Sequence, residues 1–182
     1  MTRQAQRLPG DPSEKEAIAR MIRVDHAGEY GAARIYEGQL AVLRRSAAAP
    51  VIRRMAEQEK RHLAAFDRLV VERRVRPTAL SPLWHVAGYA LGAATALLGE
   101  RAAMACTVAV EEVIDEHYRD QVERLGDSEP ELRTAITEFR AQEIEHRDTG
   151  LAHGAEAAPA YPALSAAIKA GSRLAIWLST RL

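Results

Sequence analysis

Glu143-Ile144-Glu145-His146 repeats the pattern of an earlier stretch, Glu59-Lys60-Arg61-His62, and a further glutamate stands upstream of each: Glu111 before the second, Glu29 before the first. Residues three apart on a helix share a face. Each pair therefore offers one carboxylate and one imidazole to the same point in space. Two such pairs with two single glutamates are the ligand set of a carboxylate-bridged two-metal centre inside a four-helix bundle.

The flanks repeat with the ligands. After Glu29 come Tyr36, Gln39 and Leu43, and at the same offsets after Glu111 come Tyr118, Gln121 and Leu125. The chain reads as two copies of one helical hairpin. The register selects Glu111 over its neighbour Glu112, and it sets aside His26, whose counterpart in the second copy is Val108.

Turn signals agree with this reading. Residues 1–12 read as a flexible lead ahead of a single domain over 13–182. Ser13-Glu14-Lys15-Glu16 is a capping box that opens a first helix running to about Arg45. Pro50 suits the first turn of a second helix that ends near Arg74. Ser81-Pro82 starts a third, mostly apolar helix over 83–98, which Gly99-Glu100 interrupts before the chain continues through Glu111 to Leu125 and a cap at Gly126. Ser128-Glu129-Pro130-Glu131 reads as a second capping box, opening a helix to about His153, and Pro159 and Pro162 set off a last helix from about Ala163 to Thr180. Midway between Glu111 and Glu143 lies the Gly126–Ser128 turn, and midway between Glu29 and His62 lies the start of the Ser46–Pro50 turn. Antiparallel hairpins folded there bring each single Glu level with its partner pair. The 83–98 segment supplies the long crossover between hairpins, and the fold expected is an all-α, ferritin-like four-helix bundle with an apolar crossover helix and an extra C-terminal helix.

Composition supports one helical domain. The 182 residues carry 25 basic and 25 acidic side chains, with aromatics at 5%, and helix formers dominate. No basic face marks a nucleic-acid groove. The lone cysteine, Cys106, cannot form an intramolecular disulfide and reads as a small core residue. No secretory signal opens the chain, and no stretch is long enough to span a bilayer.

Four buried glutamates without metal repel one another and lose hydration, at several kcal/mol each by order of magnitude. Two divalent cations balance the four charges, and carboxylates with imidazoles suit iron or manganese. Glu59 and Glu143, beside the histidines, are the natural bridges and Glu29 and Glu111 the terminal ligands, a division that spacing alone does not fix. Tyr118 is the candidate for a second layer around the ligands, while Tyr36 reads as core packing. Asp25, one turn before Glu29, is placed either to orient a ligand histidine or as a surface carboxylate. His26, His85, His117 and His153 read as surface or locally bonded histidines, and Glu112, Glu116 and Glu145 as solvated faces.

The 83–98 segment is too apolar for an exposed crossover. The last helix gathers Leu164, Ile168, Gly171, Leu174 and Leu178 on one broad face, with Trp177, Lys169, Arg173 and Arg181 of the types found at membrane boundaries. Peripheral membrane contact is the expectation, with dimerisation or simple packing as the other uses of that face.

Four motifs carry a closer resemblance: Arg23-Val-Asp-His-Ala-Gly-Glu29, Glu57-Gln-Glu59-Lys-Arg-His62, Ala105-Cys-Thr-Val-Ala-Val-Glu111-Glu112 and Glu143-x-Glu145-His146. Together with the end of the chain, from Ala158-Pro-Ala-Tyr161 to Leu182, they closely resemble the demethoxyubiquinone hydroxylases of ubiquinone biosynthesis. The resemblance implies a di-iron monooxygenase that uses O2 to add a ring hydroxyl to demethoxyubiquinol or demethoxyubiquinone. Its six ligand positions fall on Glu29, Glu59, His62, Glu111, Glu143 and His146, and a tyrosine near the site falls on Tyr118. It also implies peripheral attachment to a membrane and contact with other ubiquinone-biosynthesis proteins. With no mitochondrial transit peptide at the start, a bacterial member on the cytoplasmic side of the inner membrane is expected. NADH is a candidate electron source, although no dinucleotide-binding fingerprint is present. A ferritin-like ferroxidase or iron-storage protein shares the ligands but needs a polar outer surface, against which the 83–98 segment counts. A metal-free helical adaptor and a di-manganese catalase are more distant readings.

Overall fold

Ser13 begins the ordered architecture of the computed structural model, which describes residues 12–182; the expected flexible lead lies outside the described residues apart from Pro12. The Ser13 hydroxyl accepts from the Glu16 amide while the Glu16 carboxylate accepts from the Ser13 amide. This capping box satisfies two of the free donors at a helix start. It opens α1 (Glu14–Leu43), followed by α2 (Ala49–Glu72), α3 (Ser81–Leu97), α4 (Glu100–Leu125), α5 (Pro130–Ala152), a short 3-10 turn (Ala155–Ala157) and α6 (Tyr161–Arg181). The described residues contain no strand. Helices α1, α2, α4 and α5 form the four-helix bundle, with α3 as the crossover and α6 packed against α4 and α1.

Most boundaries follow from single residues. Pro50, Pro82 and Pro130 sit in the first turns of their helices, where a missing N–H removes no helical bond. The end of α2 differs slightly from expectation. Arg74 takes a left-handed φ of 51°, and Val75 donates back to the Val70 carbonyl at 2.9 Å, closing α2 at Glu72. Gly99, at φ 109°, breaks the chain between α3 and α4, so α4 restarts rather than continues. The last helix starts at Tyr161, two residues before the expected Ala163, because Pro162 fits its first turn instead of preceding it.

The second capping box does not form. The Ser128 hydroxyl donates instead to the Leu125 carbonyl at 2.8 Å, and the residue capping α5 is Glu129, without a side-chain hydrogen bond. The orphan carbonyl at the end of α4 takes the hydroxyl that the start of α5 was expected to use.

Two apolar clusters bracket a polar layer. Tyr36, Ile52, Met55, Met104 and Val108 form one, and Ile22, Phe66, Tyr118, Leu132 and Ile136 the other. On α1, α2 and α4 the metal-type side chains lie between members of the two clusters, so the packing fixes their height in the bundle.

The crossover is held by backbone proximity. A Cβ on Gly92 would collide with the Ile35 carbonyl, and one on Gly38 with the Tyr89 carbonyl, so α1 and α3 approach closely only because both positions are glycine. Gly92→Ala is expected to destabilise the protein by about 1–3 kcal/mol through overpacking. Gly171→Ala, where an added Cβ meets nothing within 4 Å, is expected to be neutral or to stabilise by up to ~1 kcal/mol through helix propensity. Urea denaturation of the two variants checks the contrast.

Candidate metal centre

The six side chains marked by spacing converge from four helices. Glu29 comes from α1, Glu59 and His62 from α2, Glu111 from α4, and Glu143 and His146 from α5, each at most 3% exposed. They form two overlapping groups. One ligand atom each from Glu29, Glu59, His62 and Glu143 lies within 4.8 Å of the others, and the same holds for Glu59, Glu111, Glu143 and His146. Glu59 and Glu143 belong to both groups.

Both imidazoles turn Nδ1 inward. His62 Nδ1 lies 2.9 Å from Glu143 Oε1 and 3.4 Å from Glu29 Oε2. His146 Nδ1 lies 3.0 Å from both Glu59 Oε1 and Glu143 Oε2. The ionisation of the cluster reflects this crowding. Burial alone pushes the His62 imidazole down, but the carboxylates of Glu143 and Glu29 outweigh it and raise it to about 11. Burial likewise opposes charge on His146, and Glu143 and Glu59 raise it to about 10. Burial pushes Glu143 up, yet His146 and His62 bring it down to about 2. Glu59 and Glu111 are held well above the usual carboxyl range, first by burial and then by the charge of Glu143. Burial also raises Glu29, against the pull of the neighbouring His62 imidazole.

The donor set fits divalent cations. Glu29 Oε2, Glu59 Oε1 and His62 Nδ1 are buried and aligned with no hydrogen-bond partner among the described residues, although oppositely charged atoms lie close. Buried polar atoms of this kind are rare in native structures. A divalent cation in each group would satisfy them, balance the four carboxylates and leave both rings neutral.

A model of the family described as ubiquinone biosynthesis protein COQ7 matches residues 16–179. The chain belongs to the COQ7 family. It is 65% identical over 177 residues to the 3-demethoxyubiquinol 3-hydroxylase of Rhodospirillum rubrum, a match covering 97% of this chain and 84% of that protein. It is 57% identical over 176 residues to the human mitochondrial NADPH-dependent 3-demethoxyubiquinone 3-hydroxylase, covering 94% of this chain and 81% of the human protein. The mitochondrial 5-demethoxyubiquinone hydroxylase of Saccharomyces cerevisiae is 42% identical over 182 residues, covering 91% and 78%.

Around the six side chains, this COQ7 chain places a second layer that crosses between the two hairpins. The Tyr118 hydroxyl donates to Glu29 Oε1, and the Tyr36 hydroxyl donates to Glu111 Oε1 at 3.1 Å. Tyr36 therefore holds a carboxylate of the cluster as Tyr118 does, in addition to packing in the core. Its equivalence to Tyr118 in the repeat was the available signal. Gln58 and Gln142 sit on the outer nitrogens of the histidines and were missed. Both copies read Gln-Glu-x-x-His, a longer repeat than the one the ligands alone require.

Asp25 is neither a surface carboxylate nor a partner of His62 or His146. It is buried, accepts from Gln121 Nε2 at 2.7 Å, and pairs with His117 Nε2 at 3.1 Å. The remaining histidines bond away from the cluster: His153 locally to the Thr149 carbonyl, but His26 to Asp67 and His85 to Tyr30 across neighbouring helices. Cys106 is a buried thiol, pushed up to about 12 by burial.

The raised imidazoles give a signed pH dependence. Their stabilisation of the metal-free fold is complete below the unfolded value of 6.5 and is lost as pH rises towards about 10 and 11. The raised carboxyls of Glu29, Glu59 and Glu111 act in the same direction above 4.5. Only Glu143 opposes them, losing its contribution as pH falls from 4.5 towards about 2. Metal-free protein is thus expected to melt at lower temperature at about pH 9 than at about pH 6.5, and metal-loaded protein to show little of this fall. Melting curves before and after chelation check both.

Proposed function

We propose that this chain is a 3-demethoxyubiquinol/3-demethoxyubiquinone hydroxylase that works at a two-iron centre. The observation carrying the proposal is the pair of overlapping donor groups sharing Glu59 and Glu143, in a chain whose relatives are named as hydroxylases of this substrate over most of their length. Glu29 and His62 complete one metal position, and Glu111 and His146 the other. The ligand types admit iron or manganese; the requirement for O2 chemistry favours iron. Residues 13–182 act as one domain, since the site draws on both hairpins.

Iron bound there supplies O2 binding and two electrons, one from each ion. In the net reaction one oxygen atom enters a ring C–H bond as hydroxyl and the other leaves as water, with two electrons and two protons drawn from a reductant. The chain's own residues provide the setting. Glu59 and Glu143 hold the two positions at a fixed separation. The hydroxyls of Tyr118 and Tyr36 each occupy one oxygen of Glu29 and Glu111, which leaves the other oxygen of each for metal. The two apolar clusters keep bulk water from both ends of the site.

A cavity of about 420 Å³ lies between α1, α3, α4 and α6. Gly28 and Val110, the neighbours of Glu29 and Glu111, line it together with Ile35, Leu91, Ile114 and Trp84. Its walls suit an isoprenoid quinol better than a polar substrate. The helices forming its outer side expose Leu83, Val86 and Leu97 from α3 and Leu174 and Trp177 from α6. No helix among the described residues is long and apolar enough to cross a membrane. This exposed face supports peripheral contact with a bilayer holding the quinol, for which we propose the cytoplasmic side of a bacterial inner membrane. It weighs against an iron-storage shell, which needs a polar exterior. Other ubiquinone-biosynthesis proteins are natural partners on the same membrane. The reductant is a nicotinamide cofactor: NADH is one candidate, and the human relative's name specifies NADPH.

Iron-loaded protein given a short-tailed demethoxyquinone, a reductant and heavy-oxygen O2 is expected to yield a product with one labelled ring oxygen by mass spectrometry. Glu143→Ala should abolish that label. Iron oxidation and O2 consumption with unmodified quinone, repeated in lipid vesicles, would assign the centre to ferroxidase chemistry instead.

The cavity makes a separate prediction. Gly31 lines it, and an added Cβ there meets nothing within 4 Å. Gly31→Leu is expected to raise KM for the quinone with unchanged iron content, because it fills substrate space without touching the ligands. An unchanged KM would remove the cavity from the substrate path.

A further inference from the structure

We propose that Gln58 and Gln142 are positioning residues that set the tautomer and ring orientation of the metal-binding histidines, each acting on the histidine of the opposite hairpin. The inference rests on the two-metal reading above. Gln58 Oε1 lies 3.1 Å from His146 Nε2, and Gln142 Oε1 lies 3.1 Å from His62 Nε2.

A neutral imidazole carries one N–H and one lone pair, on different nitrogens. Both rings direct Nδ1 at the carboxylates, so Nδ1 must present the lone pair to a cation and Nε2 must carry the proton. An acceptor beside Nε2 favours that tautomer; a donor there favours the other, in which Nδ1 is blocked. The amide oxygens of Gln58 and Gln142 are such acceptors.

Other contacts fix the rings less completely. His62 stacks on Phe139 with centroids 4.3 Å apart, and His146 meets Tyr36 edge-on at 6.2 Å. Stacking restrains the ring plane but does not distinguish the two nitrogens. The glutamines do, by meeting Nε2 on the side away from the carboxylates.

The chemistry of the acceptor also matters. A carboxylate beside Nε2 would add negative charge to the balance of four glutamates against two divalent cations. An amide supplies the same hydrogen bond without charge. The glutamines therefore orient the rings while leaving the reduced, divalent form of the centre electrically balanced.

The crossing ties the halves together. Each glutamine directly precedes a shared glutamate, Glu59 or Glu143. The same helical turn thus sends a carboxylate to both metal positions and an acceptor to the histidine across the bundle.

The test compares wild type with Gln58→Met, Gln142→Met and the acceptor-retaining Gln58→Glu and Gln142→Glu. Zinc, a diamagnetic divalent probe, is titrated into the metal-free full-length protein, and the imidazole nitrogens are followed by ¹⁵N NMR. Wild type is expected to bind two equivalents, with both histidines ligated through Nδ1 and protonated at Nε2. Each Met variant should lose about 10–100-fold in affinity for one equivalent, with loss of the Nε2–H signal from one histidine. Each Glu variant should restore the affinity and the signal and, in the iron-loaded protein, lower the midpoint potential. Met variants that bind both equivalents as wild type does would overturn the inference alone, as would Glu variants that bind as weakly as Met. A wild type that binds no zinc would overturn both this inference and the two-metal reading.

Discussion

Burial of four carboxylates among helices that cannot let water in is the constraint on which the rest of this structure depends. Transferring such charges from water costs several kcal/mol each by order of magnitude, and the protein meets that cost in two ways. Metal-free, it borrows protons: two imidazoles raised to about 11 and about 10 stand against Glu143, while three other carboxyls are pushed towards their neutral forms. On the two-metal reading proposed above, two divalent ions would replace those protons. The apolar clusters on either side of the layer hold the donor atoms at a common height.

The two hairpins are related as a repeat, yet their differences are as informative as their likeness. Crossed contacts preserve the symmetry at the centre: Tyr36 on Glu111 and Tyr118 on Glu29, with each glutamine on the opposite histidine. One layer out, the symmetry ends. Asp25 corresponds to Thr107, and His117 to Ile35. The first set forms a buried carboxylate–imidazole–amide cluster with Gln121. In the other copy Gln39 bonds the Ala103 carbonyl instead, and Ile35 is committed to the cavity wall and the α3 contact.

The convergence of these six side chains was legible in sequence because helix geometry alone places residues three apart on one face, and because turns marked by Gly126 and Pro50 set the register of each hairpin. Little beyond backbone periodicity was needed. The misreadings came where a side chain had a choice of partners. Ser128 had two helix ends within reach and bonded the carbonyl of the first, not the amides of the second. Asp25 shares a face with Glu29, but its partners depend on the rotation of α4, which brings His117 and Gln121 to it rather than a ligand histidine. Tyr36 was read as packing because its hydroxyl's target lies on a helix far along the chain. Gln58 and Gln142 were visible only to a longer version of the repeat, Gln-Glu-x-x-His.

The crossover explains how one face of a closed bundle can remain open to a large apolar molecule. A helix joining two hairpins could lie flat over α1 and α4 and seal them. Here Gly38, Gly88 and Gly92 let the backbone of α3 press directly onto α1, so α3 is held to that helix without side chains filling the space between. The room left beside α4 becomes the cavity, and α6 closes its far side through Trp84 Nε1–H donating to the Ser179 hydroxyl at 3.0 Å. Apolar residues that would otherwise have packed inward face outward from α3 and α6. One small-residue contact thus leaves both the cavity next to Glu29 and Glu111 and, beside it, the exposed apolar side chains of α3 and α6.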